Sequence, residues 1–470
     1  MHSEATDEHQ DRGSRQPELF PRSKRPTIPV AANHRLVELS DTVDWTELEI
    51  RADKVRLSKL KNAAGRPPQM RALLGAMILR ATRYMPYRVL EDHIRYYAPA
   101  RYLCGLTETE WSPDHNTLHD VIELMGVEGV RLVNEYVGEW AVEEKLADPK
   151  LMVADTTAQE AAIPYPNEMG LMSSFLGAIA TASKKAGAAL KQFVVKAKTK
   201  FTEAKEKLRE YRLFAKDKSK KQKDRMVAQM VSVVENIQAQ LQETLVAAAA
   251  GKERLTNYGK VAQAKVEQLH ATMKRLTPQI RYWLKKGFVA SGKIVSVHIP
   301  ELYAIVRGKV GKSVEFGLSW GIRRLRGGFL LATLAKDRKD LVDSKFALRA
   351  VDQHIALFGK APVAYGYDRG GYSADNIAAL KRRGVKDVGL YPRGKSAWRV
   401  RGKVKETLVS ERAQVEGGIG TIKHQKYGFN KPAARSARMM GACGQLAVLG
   451  FNVNKLIREV AKRRDVVLVG

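Results

Sequence analysis

The segments that decide the fold are KLMVADTT (residues 150–157) and APVAYGYDRGGYS (361–373). Each contains a short apolar run that leads into a carboxylate, and we interpret each as a buried strand with Asp155 or Asp368 at its end. Ligand sites of α/β sheets lie beyond the carboxyl ends of the strands. Asp155 and Asp368 are therefore candidate ligands at one edge of a sheet, with a turn or a helix N-cap as the alternative for either residue alone.

The chain around these segments has the pattern of an α/β protein. Four stretches with β-branched residues predict adjacent strands of a mixed sheet: KIVSVHI (293–299), AIVRGK (304–309), VEFGLSWGI (314–322) and GGFLLATL (327–334). VKDVGLYP (385–392) predicts another strand. Residues 341–355, 374–383 and 408–428 have helical patterns, and the last of these carries Glu416. We therefore predict an α/β fold, a mixed sheet flanked by helices.

The region from His34 to about Leu146 has a helical pattern. Asp114 and Asn116 are good N-caps for an apolar periodic run. The region contains five arginines that predict a cationic side: Arg66, Arg71, Arg80, Arg83 and Arg88. Docking on DNA in the manner of a helix-turn-helix and an ordinary helical bundle are both open readings.

A second helical region, from about Leu171 to Leu284, is rich in lysine. Its apolar residues recur at spacings of three and four, which indicates helices packed along a seam, an antiparallel hairpin inserted into the α/β domain. The basic run KDKSKKQKDR (216–225) is predicted near a helix junction. It is either a solvated face or a contact to phosphates.

The composition favours a polyanionic partner. Lys and Arg number 81 against 50 Asp and Glu, a formal net charge of +31. DNA carries one phosphate charge about every 1.7 Å of its axis, and a basic protein gains affinity by releasing the condensed counterions. Nucleic acid is the leading partner, and an anionic membrane surface or a merely basic surface are the alternatives.

Several classes of protein are excluded. The cysteines, Cys104 and Cys443, are far apart and lack metal-ligand spacing, which argues against a disulfide framework and a zinc finger. The first residues, MHSEATDEHQDRGSRQ, lack the apolar core of a signal peptide. Because no stretch of about 18 apolar residues occurs, we expect a soluble, cytoplasmic protein without a membrane span.

Glu416 completes a candidate set of three carboxylates. Two divalent metal ions about 3.5–4 Å apart activate a water and stabilise the leaving oxygen in phosphodiester hydrolysis. Mg²⁺ is a hard ion that prefers carboxylate ligands. At 100° per helical residue, Arg412 and Lys423 lie within about 40° and 20° of Glu416. The alternative is an ordinary surface ion pair of Arg412 and Glu416, but Gly417, Gly418 and Gly420 favour a close approach of DNA or of a neighbouring strand.

Several motifs carry a resemblance to a known family. ERAQVEGGIGTIK (411–423) resembles the Tyr-x2-Arg-x3-Glu-x6-Lys signature of bacterial insertion-sequence transposases of the IS-five and IS-four type, with Val409 at the Tyr position. VADTT and YGYDRGGYS are similar to the strands of that family that carry its first and second Asp. Four further segments agree with it in order: LVELSDTVDW (36–45), SPDHNTLHDVIELMG (112–126), PYPNEMGLM (164–172) and IVRGKVGKSVEFG (305–317). The resemblance extends from about residue 34 to 460.

The resemblance implies an RNase H-like catalytic core with the DDE triad Asp155, Asp368 and Glu416 holding Mg²⁺, for which Mn²⁺ can substitute. It implies binding of the terminal inverted repeats and of target DNA, as a homodimer or larger assembly on DNA near the bacterial nucleoid. Arg412 and Lys423 would position phosphates. Arg369, directly after Asp368, would either contact a phosphate or form a salt bridge. The predicted domains are a disordered leader (1–32), a helical DNA-binding domain (33–147), a catalytic domain (148–168 and 285–470) and a helical hairpin insertion (169–284).

For several other polar and aromatic residues, a purely structural role is an alternative to a functional one. Asp343, Asp352 and Glu315 are either outer groups of the metal site or solvated and salt-bridged side chains. His298 and His354 are predicted to be structural, and Trp320 and Trp398 to pack rather than to stack on a base. The rival functions are a nuclease of the same core that never joins DNA, a non-catalytic DNA-binding protein and a basic helical scaffold.

Overall fold

The computed structural model describes residues 30–60, 68–107, 111–182, 188–250, 257–309, 312–337, 339–340, 342–392, 398 and 400–469. The predicted leader, residues 1–32, lies almost wholly outside this part of the chain, and so does Arg66.

The first part of the described chain is helical, as predicted. Its helices are α1 (Arg35–Thr42), α2 (Trp45–Lys59), α3 (Met70–Arg83), α4 (Tyr87–Tyr96), α5 (Ala98–Leu103) and α6 (His115–Glu143). Of the two N-caps predicted for the last helix, Asp114 is the one used: its Oδ1 accepts a hydrogen bond of 2.8 Å from the backbone N–H of Thr117. Gly126 has a φ of 59° and kinks α6 at that point. The long C-terminal helix α14 (Ala437–Val469) packs against α3 and α6 and shares their apolar core.

The predicted cationic side of this region is smaller than expected. Arg80 is buried, with its guanidinium 5.1 Å from the ring centroid of Tyr84 and 4.5 Å from that of Tyr87. Arg71 lies over Trp45 at 4.8 Å. Cation–π contacts of this kind make these two arginines part of the packing. Of the predicted arginines that are described, Arg83 and Arg88 remain exposed.

The α/β class is confirmed. The strands are β1 (Asp148–Glu160), β2 (Tyr303–Lys309), β3 (Lys312–Arg326), β4 (Leu330–Leu334), β5 (Ala364–Tyr367) and β6 (Asp387–Leu390). They form one mixed sheet in the order β2-β3-β1-β5-β6, with β4 also paired to β3. The central strand β1 is antiparallel to β3 and parallel to β5, and β5 is parallel to β6.

Helices cover both faces of this sheet. On one face, α11 (Asp343–Phe358) and α12 (Ala374–Arg382) pack on Met152, Tyr365 and Tyr367. On the other, α13 (Gly402–Ile422) and α14 pack on Val153 and Trp320. The sheet is therefore the middle layer of three, as its apolar strands require.

The segment between β1 and β2 is helical, as predicted, but it forms more than a hairpin. Its helices are α7 (Glu168–Ala182), α8 (Ala188–Phe214), α9 (Lys220–Ala250) and α10 (Asn257–Lys286). The predicted apolar rows on α9 and α10 share one buried cluster with residues of α7 and α8. The chain therefore folds here as a bundle of four helices, and the basic run 216–225 does include the junction of α8 and α9.

The strand predicted over 293–299 is wrong, because the structure has no strand there. The alternating apolar residues of this segment face two different cores. Ile294 and Val297 pack on the helical bundle, whereas Val295 and Ile299 pack with Leu318 of β3. A strand-like apolar pattern thus arises from a chain placed between two apolar layers, without pairing to a neighbouring strand.

Several residues named in the sequence analysis lie in the interior. Cys104 and Cys443 are both buried and free, and burial raises the pKa of the Cys104 thiol to about 12. Trp320 and His354 are buried, the former in the sheet core. Among the described helices, none has the length together with the apolar composition that crossing a bilayer requires.

The close packing of α14 on α3 depends on Gly450. A Cβ at this position would lie 1.9 Å from the carbonyl oxygen of Ala81, a backbone atom that cannot rotate away. We expect Gly450→Ala to lower the free energy of unfolding by about 3 kcal/mol, at the upper end of ordinary overpacking costs, measured by chemical denaturation. Gly417→Ala is the control, because nothing lies within 4 Å of a Cβ there. Equal stability of the two variants would contradict this packing.

Candidate active site

Asp155 lies within β1 and not at its end as predicted. The parallel pairing of β1 with β5 is described for Leu151 to Val153, whereas its antiparallel pairing with β3 continues to Glu160. The strand runs past Asp155 because β3 supplies hydrogen-bond partners on that side. Asp155 nevertheless lies two residues beyond the last pair with β5, so its side chain stands where the parallel half of the sheet stops.

Asp368 follows β5 directly, as predicted. Its Oδ1 accepts a hydrogen bond of 2.8 Å from the backbone N–H of Gly370, which closes a short 3₁₀ turn over Arg369–Gly371. The helix-cap alternative therefore describes its local geometry correctly. Such a cap uses one oxygen of the carboxylate and does not conflict with a ligand role for the other.

The strand register brings Asp155 and Asp368 to the same level. Val153 pairs with Gly366 in the parallel ladder. Asp155 lies two residues after Val153 on β1, and Asp368 lies two residues after Gly366, directly after the end of β5. Side chains that are two residues apart lie on the same face of a strand, and neighbouring strands lie about 4.8 Å apart. A Cβ at Gly366 would touch Val153 and Leu408, which identifies this face as the one covered by α13. The two aspartates are thus neighbours on the α13 side of the sheet.

Glu416 lies on the exposed side of α13, next to the buried Val415. Its Oε1 is 3.4 Å from Nη2 of Arg412, the i,i+4 ion pair that the sequence analysis named as an alternative. An open cleft with a volume of about 510 Å³ lies beside this pair. Its lining residues are Asp368, Arg369, Tyr391, Val409, Arg412, Ala413 and Glu416.

The structure brings these carboxylates together only in part. Asp368 and Glu416 line the same cleft, whereas Asp155 is not among its lining residues. Within the described ranges, a group of three potential ligands with all atoms inside 4.8 Å occurs only at His119, Asp120 and Glu123 on the surface of α6. Asp155, Asp368 and Glu416 therefore border one edge of the sheet without enclosing a single ion in this arrangement.

Asp343, at the start of α11, adds a fourth carboxylate to this edge. Its Oδ1 accepts hydrogen bonds from the hydroxyls of Thr156, at 2.8 Å, and Tyr367, at 3.2 Å. Burial raises the pKa of Asp368 above its ordinary value, and the negative charge of Asp343 raises it further. Oxygen donors and crowded negative charge suit a hard divalent cation, so the aspartates fit the Mg²⁺ that the family resemblance implies.

The other two acidic residues considered with Asp343 have different positions. Asp352 forms an exposed ion pair with Arg383, with Oδ1 and Nε 2.6 Å apart, so the salt-bridge reading is correct for it. Glu315 is buried on β3.

Two arginines and one tyrosine form the cationic side of the cleft. The guanidinium carbons of Arg412 and Arg369 lie 5.0 Å and 5.4 Å from the ring centroid of Tyr391. The positive charge of Arg412 acts to lower the pKa of Asp368, against the larger effects of burial and Asp343. Sequence reasoning missed Tyr391, although its position directly after β6, the next parallel strand, was the available signal.

The signature positions on α13 do not all reach the cleft. Val409 lines it, so the position occupied by Tyr in the family signature faces the same space. Lys423 is the C-cap of α13 and is not among the lining residues. Seven residues at 1.5 Å each place it about 10 Å from Glu416 along the helix.

Packing against a neighbouring strand explains one of the three glycines of α13, but not the other two. A Cβ at Gly418 would lie 3.4 Å from the Leu330 side chain of β4, so a neighbouring strand is close at that position. At Gly417 and Gly420 a Cβ would meet nothing within 4 Å. The close approach of DNA thus stays a prediction for these two.

Comparison with known proteins adds one finding. Residues 26–124 match a family described as Transposase domain (DUF772), a stretch that includes α1 to α5 and the beginning of α6. This match supports a transposase family for the chain. No curated protein and no solved structure matched the chain. A transposase function and DNA as the partner are what this domain supports.

Proposed function

We propose that this protein is a transposase, a Mg²⁺-dependent DDE enzyme that cleaves DNA at the ends of an insertion sequence and joins the freed ends to target DNA. Its core would be RNase H-like, with Asp155, Asp368 and Glu416 as the catalytic triad. The observation that supports the proposal most is the β1–β5 register, from which we infer that Asp155 and Asp368 are neighbours, together with the cleft that Asp368 and Glu416 both line.

The chemistry consists of two substitutions at phosphorus. In the first, a water oxygen bonds to the phosphorus, the P–O3′ bond breaks, and the leaving oxygen takes up a proton to give a 3′-hydroxyl. In the second, that hydroxyl attacks a target phosphodiester, whose own P–O3′ bond breaks. Bound Mg²⁺ (or Mn²⁺) would supply activation of the nucleophile and charge stabilisation on the leaving oxygen.

The residues of the chain have separate parts in these steps. Asp155 and Asp368 would hold the metal ions, and Glu416 would complete a site after leaving its ion pair with Arg412. Arg412 and Arg369, which both lie over the Tyr391 ring, would present cations to a phosphate in the cleft. Asp343 would hold β1 and β5 in position by accepting hydrogen bonds from the hydroxyls of Thr156 and Tyr367.

The partners follow from the same proposal. The helical region before β1, which contains most of the matched transposase domain, would bind the terminal inverted repeats as duplex DNA. Two DNA ends must be held together for coordinated joining, so we propose a homodimer or larger assembly on DNA.

Glu416→Gln is expected to abolish strand cleavage while binding of the element ends persists in a gel-shift assay, because an amide lacks the charge that a metal ligand needs. Asp155→Asn should do the same. Undiminished cleavage by either variant would refute the triad.

A second assay distinguishes the rival functions. Wild-type protein is incubated with pre-cleaved ends and a target plasmid, and joined products are expected. Cleavage without joining would identify a nuclease, and end binding without any Mg²⁺-dependent activity would identify a DNA-binding protein.

A further inference from the structure

One end of the four-helix bundle combines exposed rings with lysines. It is formed by the α8–α9 junction and the C-terminal end of α10. A Cβ at Gly287, just after α10, would lie 3.4 Å from Nζ of Lys220 at the start of α9, so these two segments are in contact. We call this surface the bundle-end patch and define it by Phe214, Lys216, Lys220, Lys221, Tyr282, Lys285, Lys286 and Phe288.

The charge of the patch is strongly positive. Residues 212–225 contain seven basic and two acidic side chains, and Lys285 and Lys286 add to them. Elsewhere on α9 and α10, a basic side chain is paired with an acidic one: Arg281 donates two hydrogen bonds to the carboxylate of Glu235. In the described part of the chain, by contrast, no salt bridge is formed by the patch lysines. Their charge is therefore available to an anionic partner.

The rings of the patch are exposed where a folded protein usually buries them. Phe214 is 53% exposed, Phe288 58% and Tyr282 39%. Phe288 and Tyr282 stack edge to face, with centroids 5.4 Å apart at 84°, so the outer face of a rigid pair is left open. Exposed apolar rings among unpaired cations mark an interaction site.

We propose that the bundle-end patch binds single-stranded DNA, with unpaired bases stacking on Phe288 and Phe214 and phosphates contacting the lysines. Grooves that combine cations and aromatic rings bind single strands in this way, because every base has a face on which a ring can stack. Duplex bases are already stacked on each other, so the rings select an unpaired strand. The proposal rests on the proposed function only in taking DNA as the partner.

The test uses the full chain and a fluorescein-labelled oligothymidylate of about 16 nucleotides, within the range of single-strand site sizes. Fluorescence anisotropy is measured in EDTA, so that no metal-dependent chemistry contributes. We expect K216A/K220A/K221A/K286A to weaken binding and to reduce the slope of log K against log salt by about 0.7 for each phosphate that is no longer neutralised. Phe288→Ala and Phe288→Leu should each weaken binding roughly tenfold, and Phe288→Tyr should retain it.

A charge-matched variant of the same bundle is the control. K198A/K200A/K205A/K260A also removes four exposed lysines. At 1.5 Å per residue, Lys260 lies about 39 Å along α10 from Lys286. We expect this variant to bind nearly as well as wild type. All substituted side chains are exposed, so the melting temperatures should agree.

Three results would overturn the proposal. These are equal losses in the patch and control variants, full binding by Phe288→Ala, and preferential binding of the patch to vesicles containing phosphatidylserine. The anisotropy is measured in EDTA, so it does not depend on the metal-dependent triad. A failure of the triad would therefore appear in the cleavage assay alone, and a failure of the patch in the anisotropy alone.

Discussion

Replacing Asp368 by Asn is expected to reduce strand cleavage by more than about 100-fold, beyond the 10–100-fold typical of losing an outer partner of a metal site. The amide still accepts the hydrogen bond from Gly370, so the 3₁₀ turn should persist. What is lost is the charge next to Asp155. Asp343→Asn is the matched comparison, with an expected loss of about 10–100-fold, because Asp343 would act through Thr156 and Tyr367.

Thermal unfolding gives a readout of the same site that does not depend on activity. Mg²⁺ at 100 times its dissociation constant stabilises a protein by about 2.7 kcal/mol, so wild type should melt at a higher temperature with Mg²⁺ than with EDTA. Asp368→Asn should lose this response.

The pKa of Asp368 also predicts how Asp368→Asn changes the melting temperature when no metal is present. Burial and Asp343 raise the pKa of Asp368 in the folded state above its value in the unfolded chain. Stability is therefore lost as the pH rises through the folded pKa, because the unfolded chain ionises more readily. At neutral pH, Asp368→Asn in EDTA should therefore melt no lower than wild type. A variant that melts lower in EDTA, or that keeps both cleavage and the Mg²⁺ response, would contradict the assignment.

Glu411→Ala is expected to be the most destabilising substitution on α13. Glu411 pairs with Arg324 of β3, and both side chains are largely buried. Removal of one partner of such a pair costs about 3–5 kcal/mol, because the other charge stays buried without compensation. For a cooperative unit of 150–250 residues, in which 1 kcal/mol shifts the melting temperature by about 2–4 °C, this corresponds to a fall of roughly 6–20 °C, measured by circular dichroism.

Two variants test the origin of that loss. Glu406→Ala removes an exposed carboxylate of the same helix and should change stability by no more than about 0.5 kcal/mol. Arg324→Met with Glu411→Leu removes both charges and should recover most of the stability. If Glu411→Ala melts like Glu406→Ala, the pair does not hold α13 on the sheet. Because α13 carries Glu416, cleavage should follow the stability of this pair.

Much of the architecture was predictable because local pattern and burial agree. The residues of β2 and β3 alternate between the two faces of a pleated sheet, so period two is visible in the sequence. The run before Asp368 is buried on both faces, so it is visible as a short, continuous apolar stretch. The rows at spacings of three and four on α9 and α10 are likewise visible, since one helix face is buried. Asp368 was placed correctly for the same reason.

Other features depend on partners that are distant in the sequence. The alternation at 293–299 resembles a strand, but two separate cores produce it. From the sequence, Arg80 is predicted to be a surface cation, but in the structure it packs against the rings of Tyr84 and Tyr87. Tyr391 and Asp343 join the site only because β6 and α11 end and begin at the same edge of the sheet.

The sequence alone was sufficient for most of the element types, for the association of the two aspartates with apolar strands and for the i,i+4 relation of Arg412 to Glu416, all of which depend on residues close along the chain. The tertiary structure decided how far β1 extends, which residues share the cleft and that Asp155 stands level with Asp368. The reason is that register is set by hydrogen bonds between strands more than 200 residues apart. No local periodicity contains that information.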